Sequence, residues 1–280
     1  MKAIIPAAGF DTTFLPVTKA QPKEMLIVYD KPIIQYVVEE ALNSGIDDIL
    51  IITGRNKRPI EDHFDRLNEL ENTLESADKY QQLKLVKDIT GLADISYIRQ
   101  KEQNGLGDAI YYAEKYMGDE AFAVLLGDSI TKGKIPCTKQ LIDVYEKYGK
   151  PTISLEEVPK EKVSRYGIVD GNKVEDNVYD IKKLVEKPSV DDISSNSAIA
   201  GRYILTNDIF DKIEQTKPSV DGEIQLTDAL QKLGSIYGVI CEGKTYNIEN
   251  RFEWIKASIE FAMDDENFKN DLKEFFCTFI

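Results

Sequence analysis

The segment Ala3-Ile4-Ile5-Pro6-Ala7-Ala8-Gly9 near the N-terminus gives the first indication of the fold class. Its first four residues form a short apolar run of the kind found in fully buried strands, and three small residues follow directly. Small residues after a buried strand let the backbone come close to a flat base or a phosphate. In open α/β sheets, ligands bind at the carboxyl ends of the strands. We therefore expect a binding site where this first strand ends.

Apolar runs alternate with segments of helical period from this strand as far as Glu157. Ile49–Thr53 is a continuous apolar run, whereas the apolar residues of Pro32–Ser44 recur at helical spacing. Strands separated by helices indicate βαβ units and an α/β fold with a doubly wound, mostly parallel, Rossmann-like sheet. The other predicted strands are Ile95–Arg99, Ala121–Leu126 and Thr152–Glu157, and the other predicted helical segments are Arg58–Asp88, Gly107–Met117 and Thr138–Tyr148.

The segment Ser164–Pro188 interrupts this alternation. Two short strand-like runs, Tyr166–Asp170 and Val178–Glu186, flank the dipeptide Gly171-Asn172, which is a hairpin-turn signal. These residues predict a small antiparallel insertion that forms a substrate-side lobe over about 160–205.

Apolar residues return to helical spacing after Arg251 and predict a C-terminal helical segment over about 251–280. The last part of this segment, from Phe275 to Ile280, is an apolar tail that suits either a subunit contact or the core. Because no repeat or low-complexity linker divides the chain, we expect residues 1–280 to form one domain.

The composition excludes several classes of function. The chain is 42% hydrophobic and 30% charged, as in globular proteins with a proper core, and its formal net charge is −14. Such a charge repels nucleic acid and anionic lipid, and no apolar run is long enough to span a bilayer. The N-terminal apolar run is too short for a signal peptide. We therefore expect a cytoplasmic protein without nucleic-acid or membrane partners, whose phosphate site is locally basic or uses a metal.

The histidine and cysteine content limits the available chemistry further. His63 is the only histidine and lies in a charged segment, so we interpret it as structural. The three cysteines, Cys137, Cys241 and Cys277, are scattered and suit reduced thiols. No Gly-x-Gly-x-x-Gly follows the first strand, so an NAD-dependent enzyme of similar architecture lacks its main support.

Two lysines flank a proline-fixed turn in the segment Lys19-Ala20-Gln21-Pro22-Lys23-Glu24-Met25-Leu26. Ammonium groups suit phosphate oxygens as point charges, and a solvated turn is an equally good interpretation of this segment alone.

Together with Ala7-Ala8-Gly9, the block Pro22–Leu26 resembles the opening signature of the sugar-1-phosphate nucleotidyltransferases. Further blocks, in order and with family spacing, narrow the resemblance to the bacterial UTP–glucose-1-phosphate uridylyltransferases, from the first strand to the C-terminal helix. These blocks are Asp30-Lys31-Pro32, Ile34-Gln35-Tyr36, Glu61-Asp62-His63-Phe64-Asp65, Tyr97-Ile98-Arg99-Gln100-Lys101, Gly105-Leu106-Gly107, Phe122–Asp128, Arg165-Tyr166-Gly167, Val185-Glu186-Lys187-Pro188, Gly201-Arg202-Tyr203 and Gly222–Asp228.

The resemblance implies UTP and glucose 1-phosphate as substrates, UDP-glucose and pyrophosphate as products, Mg²⁺ as cofactor, and a homo-oligomer, either a dimer or a tetramer. The resemblance does not decide whether the base is uracil or thymine, or whether the sugar is glucose or galactose. The residues that it implies are Ala7, Ala8, Gly9, Glu24, Gln100 and Gly105 for the nucleotide, Gly167 and Glu186 for the sugar, Lys23, Asp128 and Lys187 for catalysis, and Asp128 and Asn247 for the metal.

The chain departs from the family pattern mainly where a triphosphate and a metal would bind. Asp11 stands where the family has glycine, Thr13 replaces an arginine, and Asn247 replaces the second metal-binding aspartate. Asp108 and Ser129 also depart, in place of histidine and aspartate. An extra carboxylate and a missing guanidinium both weaken the hold on polyphosphate. The alternative function is therefore a catalytically weak or inactive paralogue that binds nucleotide sugar or regulates an active homologue.

Overall fold

The computed structural model describes residues 1–189 and 195–278. The strands are β1 (Lys2–Pro6), β2 (Ile27–Val28), β3 (Lys31–Pro32), β4 (Asp48–Thr53), β5 (Asp94–Arg99), β6 (Phe122–Leu125), β7 (Ser129–Lys132), β8 (Thr152–Glu157), β9 (Gly167–Lys173), β10 (Val178–Glu186), β11 (Ser197–Leu205), β12 (Tyr237–Ile240) and β13 (Lys244–Asn247). The α-helices are α1 (Ile33–Asn43), α2 (Arg58–Phe64), α3 (Asn68–Ser76), α4 (Tyr80–Thr90), α5 (Leu106–Tyr111), α6 (Glu114–Met117), α7 (Cys137–Tyr148), α8 (Asp208–Glu214), α9 (Leu226–Leu230), α10 (Arg251–Ala262) and α11 (Glu266–Cys277).

The central sheet has nine strands in the order β5-β4-β1-β6-β11-β8-β12-β10-β9. The strands β5, β4, β1 and β6 run parallel, but β11 is antiparallel to both β6 and β8, and β10 is antiparallel to β12 and β9. The α/β class is confirmed, whereas the prediction of a mostly parallel sheet is corrected to a mixed one. A tight turn joins β9 to β10, and strands joined by a tight turn can pair only antiparallel.

The predicted hairpin is present, but its turn lies later than Gly171-Asn172. Those two residues pair with Ile181 and Asp180 inside the β9–β10 ladder, and the chain turns between Val174 and Val178, where a hydrogen bond of 2.8 Å closes the turn. The prediction of a turn at Gly171 was wrong, because this glycine instead allows the backbones of β9 and β10 to approach each other closely. A Cβ added there would lie 2.6 Å from the carbonyl oxygen of Asp180.

Two of the predicted helical segments are divided. The region Arg58–Asp88 forms the three helices α2, α3 and α4. Asp65 has extended backbone angles and ends α2, and Asp78 follows α3 with a left-handed φ of 55°. The segment Gly107–Met117 is likewise divided, into α5 and α6, although the residues at the junction, Tyr112 and Ala113, keep right-handed helical angles.

Both faces of β1 are buried, which explains its continuous apolar sequence. Ile4 packs on one face with Leu50, Ile52 and Val124, and Ile5 packs on the other face. The parallel strands β1, β4 and β6 therefore end at one edge, which places the loops after Pro6 and Leu125 side by side. No helix among the described residues is long and apolar enough to cross a membrane.

The predicted C-terminal helical segment forms α10 and α11. Phe275 is 56% exposed on α11. Phe279 and Ile280, the last residues of the predicted apolar tail, lie outside the described residues.

Candidate active site

A cavity of about 390 Å³ opens at the carboxyl ends of β1 and β6, a size in the range of small-molecule sites. We call it the main cavity. Eight of the residues that sequence analysis assigned to a nucleotide or to catalysis line it, and they come from four separate parts of the chain. They are Ala7, Ala8, Gly9, Lys23, Glu24, Gln100, Gly105 and Asp128.

Close backbone packing shapes the floor of the main cavity. A Cβ added at Gly54 would lie 2.5 Å from the carbonyl oxygen of Ala8, so the loops after β1 and β4 meet backbone to backbone. Gly105 has a φ of +97°, and an added Cβ would lie 2.8 Å from the carbonyl oxygen of Ile224. A side chain at Gly105 would therefore be strained and would also clash. Gln103, which sequence analysis missed, donates its Nε2–H to the carbonyl oxygen of Ala8 at 2.8 Å.

Gln100 is held in one orientation by a neighbouring carboxylate. The side chain is 5% exposed, and its Nε2 lies 2.6 Å from Asp108 Oδ2 and 3.4 Å from the carbonyl oxygen of Gly105. A carboxylate and a carbonyl can only accept hydrogen bonds, so the amide nitrogen must face them. Asp108 does lie in the first turn of α5, as a helix-favouring acid would, but its side chain also fixes Gln100.

Lys23 is shared between two carboxylates. Its Nζ lies 2.8 Å from Asp128 Oδ2 and 3.2 Å from Asp11 Oδ2. Burial works to lower the pKa of Lys23, but Asp128 and Asp11 outweigh it, so this pKa lies above its ordinary value. Asp11, which stands at the family's glycine position, is therefore neutralised by the lysine that was expected to hold the nucleotide phosphates.

The other oxygen of Asp11 organises the loop after β1. Asp11 Oδ1 accepts hydrogen bonds from the backbone N–H groups of Thr13 at 2.6 Å and Phe14 at 3.3 Å. Burial works to raise the pKa of Asp11, but Lys23 and these two N–H groups hold it below its ordinary value. Thr13 itself is exposed and brings no positive charge.

Glu24 lines the main cavity as half of a buried ion pair. Its two carboxylate oxygens lie 2.9 and 2.7 Å from Nζ of Lys57, which is 4% exposed. Burial raises the pKa of Glu24, against the opposing effect of Lys57. This pair joins the segment after Pro22 to the loop after β4. The assignment of Glu24 to nucleotide binding stays a prediction.

The predicted sugar-binding residues lie together, but outside the lining of the main cavity. Gly167 and Glu186 are opposite each other in the β9–β10 ladder, and Lys187 follows with a left-handed φ of 43°. Lys187 Nζ lies 3.9 Å from Glu186 Oε1. Thr227, which lies in a family block but was given no role, donates its hydroxyl to Glu186 Oε2 at 2.6 Å.

Asn247 lies beside the loop that carries Asp128. It pairs with Ser129 in the β13–β7 ladder, and the N–H of Ile248 donates to the carbonyl oxygen of Asp128 at 3.1 Å. Asn247 Nδ2 donates to Glu249 Oε1 at 2.6 Å. Glu249 is a carboxylate that the family pattern does not have, and it lies next to position 247, where the family has aspartate and this chain has asparagine. Burial raises the pKa of Glu249, opposed by Arg165 and reinforced by Asp128.

Ser129, which pairs with Asn247 in the β13–β7 ladder, carries a hydroxyl in the same region. Ser129 is 3% exposed, and its Oγ has no hydrogen-bond partner within the part of the chain that the structure describes. Among the same residues, no three His, Cys, Asp or Glu side chains form a group that could hold a metal ion by themselves.

A buried ion pair supports the loop between β6 and β7. Arg202 is fully buried and contacts both oxygens of Glu40, with Nη2 at 2.8 Å from Oε2. The same Nη2 donates to the carbonyl oxygen of Ser129 at 2.7 Å, and Nη1 donates to that of Leu126 at 3.3 Å. Arg202 therefore holds both ends of the turn that presents Asp128. Its family block was recognised in the sequence, but nothing there indicated burial.

Comparison with known proteins identifies the class. The sequence profile described as nucleotidyl transferase matches residues 2–244. The chain therefore belongs to the nucleotidyl transferase family. It is 49% identical over 277 residues to the UTP–glucose-1-phosphate uridylyltransferase of Staphylococcus epidermidis, with 98% of this chain and 96% of that protein covered. The protein of the same name from Staphylococcus haemolyticus is 50% identical over 277 residues, with the same coverage.

Solved structures agree with these relatives. A UDP-glucose pyrophosphorylase complexed with UDP-glucose is 42% identical, with a TM-score of 0.85, and the match covers 94% of this chain and 98% of that one. A UTP-bound UGPase from Acinetobacter baumannii is 33% identical with a TM-score of 0.90, covering 99% and 98%. The resemblance predicted from the sequence motifs is thereby confirmed.

Proposed function

We propose that this chain transfers a uridylyl group from UTP to glucose 1-phosphate and releases UDP-glucose and pyrophosphate. The observation that carries the proposal is the convergence of eight predicted residues on the main cavity. The relatives that bear this activity in their names match nearly the whole chain at about half identity.

The nucleotide half of the reaction uses the main cavity. The base lies against Ala7, Ala8 and Gly9, and Gln100 and Gly105 read its edge. Lys23 contacts the phosphates from its position between Asp11 and Asp128. These contacts hold the α-phosphorus in a fixed place, which is the main contribution that a protein makes to such a transfer.

The sugar half of the reaction uses the β9–β10 ladder. Glu186, oriented by Thr227, accepts hydrogen bonds from the glucose hydroxyls beside Gly167. Lys187 neutralises the sugar phosphate, whose oxygen forms the new bond to the α-phosphorus. The bond from that phosphorus to the bridging oxygen breaks in line, and pyrophosphate carries away the electron pair.

The residues beside Asp128 fit the Mg²⁺ that the resemblance implies. Mg²⁺ keeps several waters and takes one or two carboxylates. Asp128 and Asn247 would hold the ion. Glu249 would supply the second carboxylate, in place of the aspartate that the family has at position 247. The buried hydroxyl of Ser129, which has no hydrogen-bond partner among the described residues, would be a further oxygen beside this group. When bound, the ion supplies positive charge for the phosphate oxygens.

A coupled assay of pyrophosphate release tests the proposal, with saturating UTP, glucose 1-phosphate and Mg²⁺. Turnover of about 1–10³ s⁻¹, the ordinary range for enzymes, supports it. A rate orders of magnitude lower that Thr13→Arg and Asn247→Asp restore would instead identify the catalytically weak paralogue. The same assay with dTTP in place of UTP tests the preference between uracil and thymine. Galactose 1-phosphate in place of glucose 1-phosphate tests the preference between the two sugars.

The assembly and location proposed with this function are a homo-oligomer, dimer or tetramer, in the cytoplasm. Several apolar side chains on the C-terminal helices are exposed and support a subunit contact there: Phe252 and Ile255 on α10, and Phe268 and Phe275 on α11. Sedimentation of the purified protein tests the assembly, and a monomer across the micromolar range would contradict it.

A further inference from the structure

Two cysteines that are 104 residues apart in the sequence lie side by side in the fold. Cys137 is the first residue of α7, and Cys241 directly follows β12. Both are free thiols, and their Sγ atoms are 2.9 Å apart. Non-bonded carbon atoms rest about 3.5–4.0 Å apart, and sulfur is larger than carbon. The two sulfurs are therefore in direct contact, and no step of the proposed reaction uses either of them.

Hydrogen bonds hold the two backbone segments that carry these cysteines together. In the first turn of α7, Gln140 Nε2 donates to the carbonyl oxygen of Glu242 at 3.0 Å, and Gln140 Oε1 accepts the N–H of Glu242 at 2.8 Å. Cys241 Sγ also lies 3.7 Å from the carbonyl oxygen of Cys137. Because neighbours of both cysteines are joined in this way, the contact between the sulfurs is a fixed feature of the fold.

The two thiols differ in their access to solvent. Cys137 is 4% exposed, whereas Cys241 is partly exposed. The hydrogen bond with Cys241, followed by burial, raises the pKa of Cys137, so this thiol stays protonated at neutral pH. A reagent from solvent therefore reaches Cys241 first. Once Cys241 has reacted, it is no longer a neighbouring thiol, and the main cause of the raised pKa is removed.

We infer that Cys137 and Cys241 are an oxidation site that forms a reversible disulfide with a low-molecular-weight disulfide as oxidant. The thiolate of Cys241 attacks one sulfur of the small disulfide, whose other half leaves as a thiol. Cys137, having lost its proton, then attacks Cys241 Sγ, and the second small thiol leaves. The two protein thiols are oxidised, and one small disulfide is reduced to two thiols.

The bond would clamp α7 to the segment that leads into β13. Thr138, the second residue of α7, donates its N–H and its hydroxyl to Glu40 Oε1 at 3.1 and 2.7 Å. Glu40 in turn pairs with Arg202, which supports the loop between β6 and β7. On the other side, β13 begins three residues after Cys241 and ends at Asn247. A cross-link over about 100 residues stabilises a fold mainly by restricting the unfolded chain.

Oxidised glutathione is the probe, added without denaturant to the reduced, folded full-length chain. The test uses Cys277→Ser, which removes the exposed third thiol on α11. The intact mass of this variant should fall by about 2 Da, the mass of two hydrogen atoms. Peptide mapping without reductant should find the peptides of Cys137 and Cys241 joined, in this variant and in the wild type. Dithiothreitol should restore the original mass.

Thermal melts measure the clamp. The disulfide should raise Tm of Cys277→Ser by roughly 5–10 °C, and dithiothreitol should reverse the rise. The matched control is Cys241→Ser in the same background, which keeps only the buried Cys137 and should neither change mass nor shift its Tm with glutathione. Cys241→Ala provides the same comparison without a new hydroxyl.

Three results would overturn the inference. The first is unreacted thiols, or a glutathione adduct on Cys241 without a link to Cys137, because the pair then cannot bond within the fold. The second is a link that forms only in urea. The third is a link that leaves Tm unchanged or lowers it. None of these measurements uses UTP or glucose 1-phosphate, so their outcome is independent of the proposed function.

Discussion

The amide nitrogen of Gln100 lies 2.6 Å from a carboxylate oxygen of Asp108. Because that carboxylate cannot donate a hydrogen bond, the side-chain oxygen of Gln100 is the atom left to meet a base. Uracil and thymine carry an N–H at position 3, which donates to such an oxygen, and cytosine carries an acceptor there. If Gln100 reads the base as proposed, the departure from the family at Asp108 affects which nucleotide is chosen.

We expect Asp108→Asn to relax this choice, because an asparagine amide can donate to Gln100 as well as accept from it. The ratio of kcat/KM for UTP to that for CTP should fall roughly 10-fold. Asp143→Asn, an exposed change on α7, is the control and should leave the ratio unchanged. An unaltered ratio in Asp108→Asn would show that the amide of Gln100 is oriented by something else.

Arg202→Met should lower the free energy of unfolding by about 3–5 kcal/mol, because it leaves the buried Glu40 carboxylate without its cation. Urea denaturation measures the loss. The matched control is Arg58→Met, which breaks a pair whose two side chains are 82% and 60% exposed and should cost under about 1 kcal/mol. Equal costs for the two variants would contradict the structural role of Arg202. The double variant with Glu40→Met should recover part of the stability.

The raised pKa of Glu156 should make the stability of the folded protein depend on pH. Burial, followed by Glu249 and Glu253, raises the pKa of this carboxyl to about 6 in the folded protein. A carboxyl with a raised pKa favours the folded state only while it is protonated, so its contribution to stability is lost as pH rises from about 4.5 to about 6. Glu156→Gln should therefore be about 1 kcal/mol more stable than the wild type at pH 7.5, after allowance for partial exposure.

The difference caused by Glu156→Gln should disappear at pH 4.5, where thermal melts of the two proteins should coincide. Glu157→Gln is the control, because Glu157 is exposed on the same strand. A stabilisation of Glu156→Gln that is equal at both pH values would point to a packing effect rather than a titration.

Glu249→Gln tests the replacement carboxylate beside Asn247. If Glu249 supplies the charge that Asn247 lacks, this change should weaken divalent-cation binding about 10-fold, measured with Mn²⁺ by electron paramagnetic resonance in the absence of nucleotide. Asn247→Asp should strengthen the binding. Glu253→Gln, which removes a neighbouring charge in the first turn of α10, serves as control. Equal Mn²⁺ affinity in the Glu249→Gln variant and the control would exclude Glu249 as a ligand.

Local sequence pattern was enough to predict most elements of the first half of the fold. β1, β4 and α1 lie where apolar periodicity placed them, because burial of both faces or of one stripe leaves a clear signal. The pairing of β11 between β6 and β8 could not be predicted in this way. Strand order depends on contacts between residues far apart in the chain, and an apolar run does not specify its neighbours.

The motifs of the site were legible in the sequence, but the contacts between their side chains were not. The charge of Asp11 predicted repulsion of a triphosphate, but the structure pairs this carboxylate with Lys23, twelve residues later. Arg202 and Glu40 are 162 residues apart and become partners only through the fold. Such pairings depend on rotamers and on long-range geometry, which spacing along the chain does not encode.

Because Lys23 is paired with both Asp11 and Asp128, a phosphate that binds it must exchange with one of these carboxylates. Its ammonium is already neutralised by Asp11 and Asp128, so a phosphate oxygen that binds Lys23 displaces an internal counter-ion rather than ions of the buffer. Salt screens an exposed pair strongly and a partly buried one much less. We therefore expect dissolved salt to weaken the contact of a phosphate with Lys23 less than it weakens the contacts with exposed cations such as Lys19.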